Sequence, residues 1–391
     1  LTNKKINIFI LAGEPSGDLH GAKLIRELKA LNPEINIYGI GGQEMIKEGL
    51  SSITDIKNIS IVGFWEVSKK YIFFKKLLKE CQLFLLNNHI DVFIPIDYPG
   101  FNIPLAKFAK KHNIFVAYYI APQFWAWAQY RVNKFKKAVD KLFVILPFEE
   151  QFFKQYGIDA LYVGNPNLKF FKSNANNKVN NFEERQNIIS IFPGSRNQEI
   201  KRNLEFVKDL VIQLVKQFPN YQIAISVSNN IEIKLVENFI KTHFNDHSNI
   251  VLHFDSNELM KISKFGLIKT GTTNLEACLN GLPFIMFYKA SKINYLIGKN
   301  LLNINSVSLV NIINEKSILL GEVNIHKIIS EYIQTLDIEK IITEIKENIE
   351  NIDKFNNFQS KLLEVKSILG NLDTSKIVAE NILNHKYIDN I

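Results

Sequence analysis

A chain of 391 residues with 46% hydrophobic and 22% charged side chains is long enough for two cores and too apolar for a disordered protein. Its 47 basic and 39 acidic residues give a net charge of +8, which fits nucleic acid, an anionic membrane surface or phosphorylated small molecules, but no arginine-rich block or zinc-finger spacing supports the first of these. The two cysteines, Cys81 and Cys278, lie far apart and argue against a disulfide framework and for a reducing compartment; no window of about 18 uncharged apolar residues is present to span a bilayer.

The apolar run 6–11 is too short for a signal peptide and predicts a first strand, followed by a helix over 21–31 and a strand over 35–39. Between the first strand and helix lies Leu11-Ala12-Gly13-Glu14-Pro15-Ser16-Gly17-Asp18. Such a turn builds ligand sites in α/β proteins, yet Glu14 and Asp18 would repel a phosphate. It reads either as a site for hydroxyl or amide groups, with a carboxylate that acts, or as an acid-rich helix start favoured by the helix dipole. Gly39-Ile40-Gly41-Gly42 lacks the full dinucleotide fingerprint.

Residues 59–86 interleave aromatics, including Phe64, Trp65, Phe73 and Phe74, with Lys69, Lys70, Lys75, Lys76 and Lys79. This is the pattern of a helix lying in a membrane interface, and equally of a core helix with a solvated lysine face. A strand over 91–96 places Asp97 at its carboxyl end, where the ligand crevice of an open parallel sheet lies. Helix 103–112 and strand 114–119 follow, then Ala121 to Trp127 with two tryptophans. Strand 142–146 runs into Pro147-Phe148-Glu149-Glu150, a helix start with proline early and acids in the first turn. The asparagine-rich stretch 174–185 reads as a linker.

The alternation then resumes, with strands predicted over 188–192, 222–226, 250–253, 265–269 and 284–287, and helices over 199–217, 231–243 and 256–263. From about 325 the pattern is helical to the end, including 374–386. Two turns stand out. Pro193-Gly194-Ser195-Arg196 offers backbone and hydroxyl donors and a guanidinium suited to phosphate. Thr270-Gly271-Thr272-Thr273 opens a helix after a strand, with Glu276 one turn in, where an acid suits a ribose diol. Together they predict a pyrophosphate site without a Walker motif. His243 and His247 are four apart, but Phe244 stands where a metalloprotease needs glutamate, and no Gly-x-Ser-x-Gly elbow occurs.

The ordered series Ala12 to Asp18, Ile96 to Asn102, Pro122 to Trp127, Leu146 to Glu149, Val163 to Pro166, Phe192 to Arg196, Thr270 to Glu276 and Ser308 to Asn311 resembles the lipid-A-disaccharide synthases. These are glycosyltransferases with two Rossmann-like, doubly wound domains facing a cleft (GT-B). The resemblance implies an acceptor and membrane-side domain over 1–173, a donor domain over 186–365, and a C-terminal helix within 366–391 returning to the first domain. It implies condensation of UDP-2,3-diacylglucosamine with 2,3-diacylglucosamine 1-phosphate (lipid X) to lipid A disaccharide 1-phosphate and UDP. It also implies no metal or other cofactor, no nucleic acid, and a peripheral position on the inner face of the bacterial inner membrane, with a homodimer left open.

An inverting transfer needs a base for the acceptor 6-hydroxyl, which Asp97 fits best, with Glu14 as alternative or partner. Ser195, Arg196, Gly271, Thr272, Thr273, Glu276 and Asn311 then fall on the donor side. Ser16, Asp18, Phe64, Trp65, Phe73, Phe74, Lys75 and Lys76 fall on the acceptor or membrane side. The chain departs from the family at Gly100, often aspartate; at Asn165, usually histidine; at Val310, usually proline; and at 321–324, where a motif is blurred. A sugar-nucleotide epimerase, a different glycosyltransferase of the same architecture and a non-catalytic membrane scaffold are the competing readings.

Overall fold

The computed structural model describes residues 5–55, 67–166, 168, 179–194, 196–227, 230–244, 248–289, 306–317 and 327–385. The chain divides into two units. Residues 1–169 rejoin 371–391 in the first, and 170–370 form the second.

The first unit is built on seven parallel strands, β1 (Asn7–Ala12), β2 (Asn36–Gly41), β3 (Ser51–Asp55), β4 (Val92–Ile96), β5 (Phe115–Tyr119), β6 (Lys141–Val144) and β7 (Ala160–Tyr162). Their order across the sheet is β3-β2-β1-β4-β5-β6-β7, so the winding reverses between β1 and β4. Consecutive side chains of a strand point to opposite faces, and here both faces are covered. Phe9, Leu11, Phe93, Val116 and Tyr118 enter one core, with α3 (Val67–Asn87) and α4 (Pro99–Lys111) over it. Ile8, Ile10, Ile94, Ile96, Ala117 and Tyr119 enter the other, beneath α1 (Pro15–Leu31) and α2 (Gln43–Lys47). This two-sided burial is why the strands read as unbroken apolar runs rather than as alternations. Short helices α5 (Phe124–Trp127) and α6 (Val132–Lys136) precede β6, and α7 (Pro147–Gln155) follows it.

Helix α1 begins at Pro15, six residues before the helix the sequence predicts. Proline suits the first helical position because no intrahelical bond needs its missing N–H. The glycines that look like turn residues lie inside the helix and permit close packing: a Cβ on Gly21 would stand 2.5 Å from Met45 Sδ.

The second unit repeats the scheme with β8 (Gln186–Phe192), β9 (Gln222–Ser226), β10 (Ile250–His253), β11 (Ser263–Lys269), β12 (Phe284–Tyr288) and β13 (Glu331–Ile333), ordered β10-β9-β8-β11-β12-β13 and parallel throughout. Its helices are α8 (Asn197–Gln217), α9 (Asn230–His243), α10 (Ser256–Ile262), α11 (Thr272–Leu279), α12 (Leu309–Ser317), α13 (Ile338–Glu350) and α14 (Ile352–Ile368). The winding reverses between β8 and β11. β13 corrects the expectation of uninterrupted helix after 325: three residues are too few for a periodicity to register, and β12 supplies the pairing.

The chain then returns to the first unit as α15 (Thr374–Leu383), which packs along α1. Val378, Ala379, Ile382 and Leu383 are buried in the same core as Ile25 and Leu28. Ile382→Ala is expected to destabilise the first unit by about 2–5 kcal/mol, the usual range for a fully buried isoleucine. All three tryptophans lie in the first unit, so a lowered urea midpoint in tryptophan fluorescence reads the effect.

Candidate active site

In a parallel α/β sheet, ligands gather beyond the carboxyl ends of the strands at the point where the winding reverses. In the first unit β1 and β4 flank that point. Ala12 leads from β1 into Gly13 and Glu14, and Ile96 leads from β4 into Asp97 and Tyr98. Asp97 and Tyr98 hold φ of 46° and 47°, a left-handed pair that non-glycine residues seldom adopt. Buried partners hold the pair in place. The Asp97 N–H donates to the Tyr119 carbonyl at 3.0 Å, while the Asp97 carbonyl accepts from Asn102 Nδ2 and the Tyr118 hydroxyl, each at 2.7 Å. The Tyr98 ring lies over Gly13, where a Cβ would stand 2.4 Å from two ring carbons.

The Asp97 side chain is exposed to solvent on one side and partly desolvated by surrounding protein. That partial desolvation, with the Glu14 charge added to it, pushes its carboxyl up to about 6 against the pull of a Tyr98 backbone hydrogen bond. Glu14 is exposed at the start of α1 and makes no side-chain capping bond there. Ser16 is likewise exposed. A Cβ on Gly100 would meet nothing within 4 Å, so the position has room for a larger residue.

A third carboxylate, Glu149, lies fully buried at the start of α7. Trp125 Nε1 donates to it at 2.9 Å and the Leu146 N–H at 3.1 Å. Burial pushes it up to about 7; these hydrogen bonds oppose the shift and the Asp97 charge adds to it. The tryptophan loop and the Leu-Pro-Phe-Glu turn, separate motifs in the sequence, are thus one hydrogen-bonded pair.

Asp18 corrects the expectation of an acceptor-side carboxylate. It is buried, and its oxygens accept N–H groups from Gly42 at 2.8 Å, Glu44 at 3.1 Å and Met45 at 3.0 Å, so it caps α2 and fixes the turn after β2. Phe73 and Phe74 are half-buried and pack against the core, with Phe74 6.1 Å from Phe101 between ring centroids. Lys75 and Lys76 are exposed on the opposite side of α3. Phe64 and Trp65 lie outside the described residues.

In the second unit the turns after β8 and β11 meet at the reversal of winding. They line a cavity of about 180 Å³ with Gly194, Lys269, Thr270, Gly271, Thr272, Thr273 and Glu276 on its wall. Gly271 caps α11 in a conformation reserved for glycine (φ 144°) and makes no side-chain bond to the helix N-terminus. The Glu276 carboxylate faces this cavity without a hydrogen-bond partner among the described residues, and burial raises its proton affinity. A desolvated acceptor of this kind can take hydrogen bonds from hydroxyl donors.

Arg196 caps α8 but its side chain is exposed and is not on the cavity wall; Lys269, which sequence reasoning missed, is. Ser195 lies outside the described residues. Asn311 corrects the expectation of a donor contact. Fully buried, its Nδ2 donates to the Ile329 carbonyl and Glu331, while its Oδ1 accepts from the N–H groups of Ile328 and Ile329, so it ties α12 to the entry of β13. Among the described residues no cluster of three or more histidine, cysteine or acidic side chains is arranged to hold a metal ion.

The family model for lipid-A-disaccharide synthetase matches residues 8–373. The lipid-A-disaccharide synthase of Trichlorobacter lovleyi is 31% identical over 368 residues, covering 93% of each chain. Lipid-A-disaccharide synthase 2 of Legionella pneumophila is 32% identical, covering 88% of each. Among solved structures, the UDP-GlcNAc 2-epimerase of Neisseria meningitidis superposes with a TM-score of 0.60 at 13% identity, covering 98% of this chain and all of that one. The calicheamicin glycosyltransferase CalG4 superposes with a TM-score of 0.59 at 11% identity, covering 99% of each chain. The structural likenesses identify the two-domain GT-B fold.

Two titrations test the first-unit geometry. Carboxyl NMR is expected to place the Asp97 midpoint near 6, and Glu14→Gln, which removes a like charge, to lower it. Because folding raises this group above its unfolded value near 3.8, ionising it destabilises the fold as pH rises through that window. Asp97→Asn is therefore expected to raise Tm at pH 7 and leave it unchanged at pH 3; a Tm gain at both values would assign the effect to something other than charge.

Proposed function

The chain belongs to the lipid-A-disaccharide synthase family, the glycosyltransferases of lipid A biosynthesis, and we propose that it joins UDP-2,3-diacylglucosamine to 2,3-diacylglucosamine 1-phosphate with inversion at the anomeric carbon. The observation that carries this reading is the placement of Asp97 at the end of β4, where its backbone is fixed by Tyr118, Tyr119 and Asn102, with partial burial and the Glu14 charge raising its carboxyl. A base of this kind is mostly ionised at neutral pH yet retains a high proton affinity, as abstraction from a hydroxyl requires.

In the proposed step Asp97 takes the proton of the acceptor 6-hydroxyl as that oxygen bonds to the donor's anomeric carbon. The bond from this carbon to the diphosphate oxygen breaks, and UDP leaves with the electron pair. Glu14 orients the acceptor and raises the basicity of Asp97 by repulsion. In the second unit, the N–H groups from Gly271 to Thr273 stabilise the charge growing on the diphosphate, and Glu276 accepts from the ribose hydroxyls. Arg196, at the start of α8, is placed on the donor side by motif alone.

The acylated substrates require contact with a lipid surface. The outward face of α3 presents Lys75, Lys76 and Lys79 between exposed Ile72, Leu83 and Leu86, and we assign this face to an anionic membrane. No helix of the described residues is long and apolar enough to cross a bilayer.

Purified protein incubated with both lipid substrates is expected to yield UDP and the disaccharide 1-phosphate by mass spectrometry; absence of product with or without detergent would sink the reading. Asp97→Asn is expected to lower kcat by about 10²-fold or more while leaving the Kd for UDP unchanged, since a base acts in the transition state. Replacing Lys75, Lys76 and Lys79 together by glutamate is expected to abolish flotation with phosphatidylglycerol vesicles and leave soluble UDP binding intact; unaltered flotation would remove α3 from the membrane contact.

A further inference from the structure

Lys269 and Glu199 form an ion pair that the reaction as described above does not use. Lys269 ends β11 and Glu199 lies in the first turn of α8, so the pair spans the two strand ends, β8 and β11, where the second sheet reverses its winding. Their Nζ and Oε1 atoms are 2.9 Å apart, and the side chains are only 19% and 13% exposed. Gly194 lies against both: a Cβ there would stand 3.0 Å from Glu199 Oε2 and 3.6 Å from Lys269 Cδ. The Lys269 ammonium also lies 5.9 Å from the centre of the Tyr288 ring and lines the 180 Å³ cavity together with the start of α11.

An ammonium beside a helix N-terminus places two positive ends together. Glu199 offsets that arrangement. A carboxylate at the edge of a phosphate site is otherwise counterproductive, because it repels the ligand. Its presence makes sense if it holds the lysine in position before the anion arrives and weakens the grip on the anion afterwards. A lysine has three donors, so one ammonium can serve the carboxylate and a phosphate oxygen at once.

We propose that Lys269 is the cation that receives the donor's diphosphate, and that Glu199 both positions this ammonium and limits the affinity for the departing UDP. The inference rests on reading the cavity as the nucleotide site. It assigns to the end of β11 the charge that the motif Pro193 to Arg196 assigns to arginine. It also predicts opposite signs for the two members of one ion pair, which a purely structural salt bridge does not: loss of either partner of a structural bridge would loosen the turns and weaken every ligand alike.

Calorimetric binding of UDP and of uridine to the full chain separates these cases. Lys269→Gln is expected to weaken UDP at least tenfold and leave uridine within about twofold, because only UDP carries the phosphates. Glu199→Gln is expected to tighten UDP about threefold or more and to slow its dissociation in stopped flow, again without moving uridine. A Lys269→Gln protein that binds UDP as wild type does, or a Glu199→Gln protein that binds it more weakly, overturns the inference. Wild-type protein that binds UDP while these variants fail the expected pattern leaves the nucleotide reading standing; wild-type protein that binds no UDP removes both. Circular dichroism spectra and Tm values for each variant distinguish a lost contact from a lost fold, and Lys269→Arg, which keeps the charge, is expected to recover most of the UDP affinity.

Discussion

Partial burial and a neighbouring negative charge both raise the proton affinity of a carboxylate, and both work against the fold that imposes them. At Asp97 the opposition is met by the backbone. The left-handed turn at 97–98 is tied down by Tyr118, Tyr119 and Asn102, all buried, so the side chain is aimed outward by groups that take no part in chemistry. Gly13 completes the arrangement by leaving space for the Tyr98 ring. The raised carboxyl thus draws first on its partial burial at the end of β4 and then on the Glu14 charge after β1.

Behind this turn, polar groups that look functional in the sequence prove to be construction. Asp18 satisfies three backbone N–H groups, and Asn311 gives and receives hydrogen bonds on both sides of its amide. Leaving such donors unpaired in a buried turn costs about 1–3 kcal/mol each, which is reason enough for the residues to be there. Glu149 joins the two classes. It anchors Trp125 and caps α7, and burial raises its proton affinity, with the Asp97 charge adding to the shift.

The second unit handles charge in the opposite sense. It offers an open helix N-terminus, an ammonium neutralised by Glu199 and a desolvated carboxylate at Glu276. The groups fit a ligand with an anionic middle and a hydroxyl-bearing end. They do so on the same structural plan as the first unit, with the loops after the two central strands brought side by side.

The residue order alone carries the alternation of strand and helix, the apolar runs that need two covered faces, and the ordered motifs of the family resemblance. It also placed Asp97, Glu14, Gly271 and Glu276 at strand ends or helix starts, because those signals are local in the chain. What it did not contain was the pairing of distant segments. That Trp125 meets Glu149, that Asp18 is spent on α2, that Lys269 faces Glu199 and that three residues at 331–333 form a strand depend on contacts across 24 to 70 residues of chain. These pairings emerge on folding, because a polar side chain has the same appearance in the sequence whether a backbone amide already occupies it or a ligand is still to come.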